Sequence, residues 1–119
     1  MTWAVEYTDE FGDWWKSLAS AEQDAIAAIV ALLAEQGPAL PFPYSSGIAG
    51  SRRRHLRELR VQSKGKTIRI FYAFDPRRTA ILLVGGIKSG ARFYKDMVPL
   101  AERLYDDYIE ELKREGLLR

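Results

Sequence analysis

At 119 residues, with 47% hydrophobic and 29% charged positions, the chain has the length and composition of one globular domain with a real core. It has no cysteine and one histidine, which excludes disulfides, thiolate metal centres, a cysteine nucleophile and a histidine-rich metal site. The formal charge of +2 conceals a division, because thirteen of the eighteen Lys and Arg residues lie between Arg52 and Lys95, opposed there only by Glu58 and Asp75. So concentrated a positive field attracts polyanions, and a phosphate backbone is its natural counterpart.

Thr2 to Tyr7 alternates, with Trp3, Val5 and Tyr7 on one face, and predicts a short strand. Met1 to Glu10 has neither a basic region nor an apolar core of the secretory kind. Phe11, Trp14, Trp15 and Leu18 follow at helical spacing, with Thr8 as the expected N-cap and Asp9 and Glu10 at the positive end of the dipole. Ser20 and Gln23 form a capping box for a second helix, whose apolar face is Ile26, Ile29, Val30 and Leu33 and whose stop is Gly37-Pro38. These helices are expected to form an antiparallel hairpin. The longest apolar run, Ala25 to Ala34, is half of a membrane span, so a cytoplasmic protein without a membrane partner is expected.

Pro38 to Gly50 is rich in proline, glycine and serine and predicts an irregular connection. Three strands are then expected. Leu56–Gln62 turns at Ser63–Lys66, Thr67–Phe74 turns at Asp75–Arg78, and Thr79–Val84 ends at Gly85-Gly86. A last helix is predicted from about Val98, with Pro99 in its first turn, to Gly116, with Ala101, Leu104, Tyr105, Tyr108 and Leu112 on its core face. The fold class is thus α+β: a small, twisted, mainly antiparallel sheet in the order β-α-α-β-β-β-α, with the helical hairpin on one face and a C-terminal helix. The other sheet face is left for function, and residues 1–119 form a single domain.

Alternation in Thr67–Phe74 puts Arg69 and Phe71 on the face opposite Ile68, Ile70 and Tyr72. A guanidinium in an apolar strand needs an anion. Glu58 on the preceding strand and a bound phosphate are both suitable. Lys88 and Tyr94 frame a segment with Gly90 just past the last strand, and glycines there permit a tight turn or close approach to a ligand. Tyr94 also fits a purely structural place as an amphipathic cap on the core. Arg52, Arg53 and Arg54 read as an electrostatic patch that steers a polyanion. His55 follows them and is of the residue type that can change charge near neutrality, yet a lone histidine at a strand start also has an ordinary structural reading. With only Glu58 and Asp75 in the basic segment, a carboxylate-held pair of Mg²⁺ ions is not expected, nor is any cofactor. Phosphodiester cleavage would then proceed without metal, which points to RNA and its 2′-hydroxyl.

Three segments, Leu56-Arg57-Glu58-Leu59-Arg60, Ile68-Arg69-Ile70-Phe71-Tyr72 and Ile81 to Lys88, together with Phe93-Tyr94 and Pro99 to Tyr105, resemble the RelE/ParE superfamily of type II toxin–antitoxin modules. The similarity covers nearly the whole chain and is to the HigB-like branch related to phage Gp49. The resemblance implies a ribosome-dependent mRNA endoribonuclease, neutralised by a co-encoded antitoxin that often carries a helix-turn-helix domain. It also implies catalytic roles for Arg69, Lys88 and Tyr94. Leu56 and Glu58 stand near the positions of the cleft lysines of the best-known members, where Arg57, Arg60, Lys64 and Lys66 are the available substitutes. Arg92 and Lys95 complete the expected RNA-binding set, and His55 and Glu58 are secondary candidates. Two other functions are compatible with the same fold: inhibition of DNA gyrase in the manner of ParE, and non-catalytic regulation through nucleic-acid binding.

Overall fold

The computed structural model describes residues 2–48, 51 and 55–118. Among them lie β1 (Val5–Tyr7), α1 (Asp9–Lys16), α2 (Ser20–Gln36), β2 (Ser45–Gly47), β3 (Arg57–Ser63), β4 (Lys66–Phe74), β5 (Ala80–Ile87) and α3 (Phe93–Arg114), with a 3₁₀ turn at Gly37–Ala39 after α2. The sheet order is β1-β5-β4-β3-β2. β1 runs parallel to β5 and the remaining pairs are antiparallel.

α1 starts as its sequence predicts, with the Phe11 N–H donating to Thr8 Oγ1 at 3.0 Å. The same hydroxyl donates to the Leu83 carbonyl at 2.6 Å, which fixes the helix start to β5. The cap of α2 differs from the expected Ser20/Gln23 box. Ala19 is the N-cap, and the Glu22 carboxylate accepts its N–H at 3.0 Å. Gln23 Nε2 instead donates to the Trp15 carbonyl at 2.9 Å, joining the two helices. Gly37 ends α2 at φ +56°, where a Cβ would lie 2.4 Å from the Trp3 indole, so the stop requires glycine.

Glu22 also carries an ion pair to Lys66. That hydrogen bond and the Ala19 N–H hold its carboxyl below the usual glutamate pKa of 4.5. A depressed folded-state pKa contributes stability above the unfolded value, and the contribution is lost as pH falls through the folded one. The melting-temperature gap between wild type and Glu22→Gln is therefore expected to be full above about pH 5 and to close on acidification. A gap that is constant with pH would show that this pair has no part in acid stability.

The segment 38–50 is not wholly irregular. Ser45 pairs with Leu59 in β2–β3, and its buried hydroxyl lies 2.6 Å from Tyr72 Oη and accepts from Arg57 Nε at 3.1 Å. β5 is longer than expected and runs straight through Gly85-Gly86. The glycines are not a turn, because a Cβ on Gly85 would lie 2.3 Å from Trp14. Next to them, Phe71 pairs with Val84 but Tyr72 with Leu82. Leu83 is the extra residue of a bulge, and both Leu83 and Val84 join the core beneath α3.

The sheet separates two cores. On one face Phe11, Ile26, Leu33, Leu59, Val61, Ile68, Ile70 and Tyr72 pack between sheet and hairpin. On the other, Phe71, Ala73, Ile81 and Leu83 meet Phe93, Val98, Ala101, Leu104 and Tyr105 of α3. The second face is therefore largely covered rather than open. α3 also begins five residues before the expected Val98, which places Pro99 on its exposed side in the second turn. At the far end, buried Asp75 accepts the N–H groups of Arg77 and Thr79 at 2.8 and 3.2 Å and the Arg77 guanidinium at 2.9 Å. Tyr108 Oη of α3 lies 3.0 Å from the same carboxylate. Asp75 holds Arg77 firmly protonated, while burial and Asp75 push the Tyr108 phenol well above its usual range. One cation of the basic segment is thus committed to fastening α3 to the β4–β5 turn.

Candidate active site

Counting outward from the Ser63–Lys66 turn, the antiparallel register sets Arg60 of β3 directly opposite Arg69 of β4. Two guanidiniums so placed repel each other. Glu58 relieves this from the same face of β3: its Oε2 lies 3.1 Å from Arg60 Nη1 and its Oε1 lies 3.8 Å from Arg69 Nε. Glu58 and Arg69 are only 3% and 5% exposed. The Glu58 partner expected for Arg69 is present, but at a distance longer than a hydrogen bond. Arg69 Nη1 donates to the Ile68 carbonyl at 3.1 Å. Among the described residues, Arg69 Nε is the one buried side-chain nitrogen or oxygen with no hydrogen-bond partner. A buried donor left without a hydrogen bond is unusual and marks this part of the sheet as a candidate site.

Tyr94 arrives from the first turn of α3. Gly86 makes room for that turn, since a Cβ there would meet the Phe93 ring at 3.1 Å. The Tyr94 ring packs edge-on to Phe71 and Phe93, and its hydroxyl donates to Glu58 Oε1 at 2.7 Å. The structural reading of Tyr94 holds, for its body caps the core, and its hydroxyl enters the polar cluster. Burial, and then the hydrogen bond to Glu58, raise the phenol above its usual pKa of 10.0, with the Arg69 guanidinium pulling the other way. Tyr94 is therefore a neutral donor near pH 7. Lys88 extends the β5 ladder through its N–H to the Thr67 carbonyl at 2.7 Å, and its Nζ lies 5.2 Å over the Tyr94 ring.

Arg69, Lys88 and Tyr94 thus meet, together with Glu58 and Arg60. The other sequence candidates lie elsewhere. Arg57 points to Ser45 on the opposite face, and Lys66 pairs with Glu22 of α2. Lys64 is exposed at the turn tip, with φ +49°. Arg92 and Lys95 are exposed at the start of α3, Arg92 within 3.7 Å of Asp96. His55 is exposed, its ring 4.6 Å from that of Tyr105. Arg52, Arg53 and Arg54 lie outside the described residues. Glu58 is more central than its secondary rank in the sequence implied, and the signal for it was the turn-centred register. Arg60, Arg69 and Lys88 against Glu58 leave a net positive site, with neutral Tyr94 as an oriented hydroxyl.

The architecture is that of the RelE toxins. The isolated RelE toxin of E. coli superposes with a TM-score of 0.57 at 11% identity, covering 82% of this chain and 96% of RelE. RelE in the archaeal RelE–RelB complex of Pyrococcus horikoshii OT3 gives 0.53 at 17%, covering 76% and 100%. Residues 13–106 match the family model described as phage derived protein Gp49-like (DUF891), and the chain belongs to that family. Two proteins of Mycobacterium tuberculosis (strain ATCC 25618 / H37Rv) that are named as toxins are similar in sequence. HigB3 is 37% identical over 92 residues, covering 73% of this chain and 79% of HigB3. HigB2 is 30% identical over 114 residues, covering 93% of this chain but 56% of HigB2, so the chain spans about half the length of that relative. The HigB-like, Gp49-related resemblance read from the sequence holds.

Proposed function

We propose that the chain is the toxin of a type II toxin–antitoxin pair and acts in the cytoplasm as a metal-independent endoribonuclease on mRNA engaged with the ribosome. The observation that carries this reading is the buried Arg69, with its open Nε, flanked by Arg60 and Lys88 and facing an oriented tyrosine hydroxyl. In this mechanism Arg69 binds the scissile phosphate and stabilises charge in the transition state. Lys88 holds or protonates neighbouring oxygens, and Tyr94 orients the 2′-hydroxyl. Arg92, Lys95 and the Arg52–Arg54 run draw the RNA in. An antitoxin partner is supported by the capture of the structurally similar archaeal RelE with RelB.

Induction of the chain in its host is expected to arrest growth, with relief by the product of a neighbouring small gene. Mapped 5′ ends are expected to show new breaks within translated frames. Intact transcripts together with gyrase-trapped DNA breaks would instead select the ParE-like activity, and harmless accumulation of folded protein would remove the toxin reading.

A further inference from the structure

The base that removes the 2′-hydroxyl proton is not obvious from residue types, since Arg60, Arg69 and Lys88 are cations. Tyr94 already directs its proton into Glu58 Oε1 at 2.7 Å, and a hydroxyl that donates keeps its oxygen lone pairs for a second partner. Its raised pKa works against a free phenolate as the base. Glu58 is buried, while Tyr94 is the more exposed of the two, so an incoming ribose meets the phenol before the carboxylate. Among the described residues, the charged and titratable groups shown around Glu58 are Arg60 from β3, Arg69 from β4 and Tyr94 from α3, with Lys88 from the end of β5 over the Tyr94 ring, and β2 sets the uncharged Ser46 opposite it. Arg60 and Arg69 offset the negative charge of this buried carboxylate, and among the described residues Glu58 is the one carboxylate in the cluster.

We infer that Tyr94 and Glu58 form a two-proton relay that deprotonates the attacking 2′-hydroxyl, with Glu58 as the terminal acceptor; this rests on the endoribonuclease reading above. As the 2′-oxygen attacks phosphorus, its O–H electron pair enters the new O–P bond. The released proton passes to Tyr94 Oη while Tyr94's own proton passes to Glu58 Oε1. The P–O5′ bond breaks with its electron pair on the 5′-oxygen, which takes a proton from the Lys88 ammonium. The products are a 2′,3′-cyclic phosphate and a 5′-hydroxyl. Glu58 ends neutral and Lys88 ends deprotonated, and proton exchange with water restores both. Tyr94 remains neutral throughout, which its environment favours.

The test is single-turnover cleavage of ribosome-bound mRNA, with an ordinary scissile linkage and with a 5′-bridging sulfur linkage whose leaving group needs no acid. Tyr94→Phe and Glu58→Gln are each expected to slow both substrates by on the order of 10²-fold. Because one relay is broken in each, the double variant is expected to be no slower than either single variant. Lys88→Ala, by contrast, is expected to recover on the sulfur substrate. On the sulfur substrate, where Lys88 gives up no proton, the wild-type rate in mixtures of H₂O and D₂O is expected to fall with two protons in flight. Full activity of Glu58→Gln, its rescue by the sulfur leaving group, or multiplicative losses in the double variant would each overturn the relay. The wild-type solvent-isotope curve decides the matter even where Glu58→Gln fails to fold, since a linear curve overturns it. Absence of cleavage by wild type on either substrate would overturn the endoribonuclease reading itself.

Discussion

Arg69→Ala is expected to lower mRNA cleavage by on the order of 10²–10³-fold, as the loss of one preorganised charge donor does, and to destabilise the fold by about 3 kcal/mol. The second effect follows from burial. Arg69 and Glu58 are both almost fully enclosed, so removing the guanidinium leaves a buried carboxylate with Arg60 and Tyr94 as its remaining partners. Arg69→Lys separates the two effects. It keeps the charge and is expected to recover most of the melting temperature, but it lacks the planar set of donors that can bind Ile68 and a phosphate together, so cleavage stays low. Thermal melts and single-turnover cleavage on the two variants check both expectations. An Arg69→Ala protein that melts like wild type and cleaves at the wild-type rate would remove Arg69 from the site.

Gly85→Ala is expected to cost about 3 kcal/mol, at the upper end of ordinary overpacking. This corresponds to a fall in melting temperature on the order of 10 °C. The added methyl would sit 2.3 Å from Trp14 Cζ3, so either the indole or the strand must move. Trp14 stands on α1 and packs against the core shared by the hairpin and sheet, so displacing it disturbs the whole layer. In a Trp14→Leu background the same substitution is expected to cost about 1 kcal/mol or less, because contacting residues couple. Equal costs in both backgrounds would place the strain elsewhere.

The polar cluster was legible in part. Arg69 stood out because a guanidinium in an apolar strand demands an anion, and Lys88 and Tyr94 stood out through their place beyond the last strand and the family resemblance. Counting from the Ser63–Lys66 turn joins Arg60 and Glu58 to them by register alone. Alternation likewise separates Arg57 and Lys66 from this face, which the charge of the segment as a whole conceals. Pro99 resembles a first-turn residue and hides the beginning of α3, whereas Phe93 and Tyr94 are held helical by their packing against Phe71. Gly85-Gly86 resembled a turn because glycine marks both turns and close approaches, and only the position of Trp14 distinguishes them.

By itself the sequence determined what short-range physics encodes. Helical and strand periods set the element order, Thr8 and Gly37 set helix ends, the hairpin turns set the β3–β4–β5 meander, and the clustering of Lys and Arg set the positive charge of the segment. Tertiary structure alone decided which face each cation serves, and that Asp75 commits Arg77 to holding α3. It also decided that Arg69 keeps an unpartnered Nε beside the Tyr94–Glu58 hydrogen bond. These depend on contacts between residues far apart in sequence, eleven positions for Arg69 with Glu58 and thirty-six for Tyr94 with Glu58. Burial, and with it the strength of a charge or the state of a phenol, exists only once such contacts have closed.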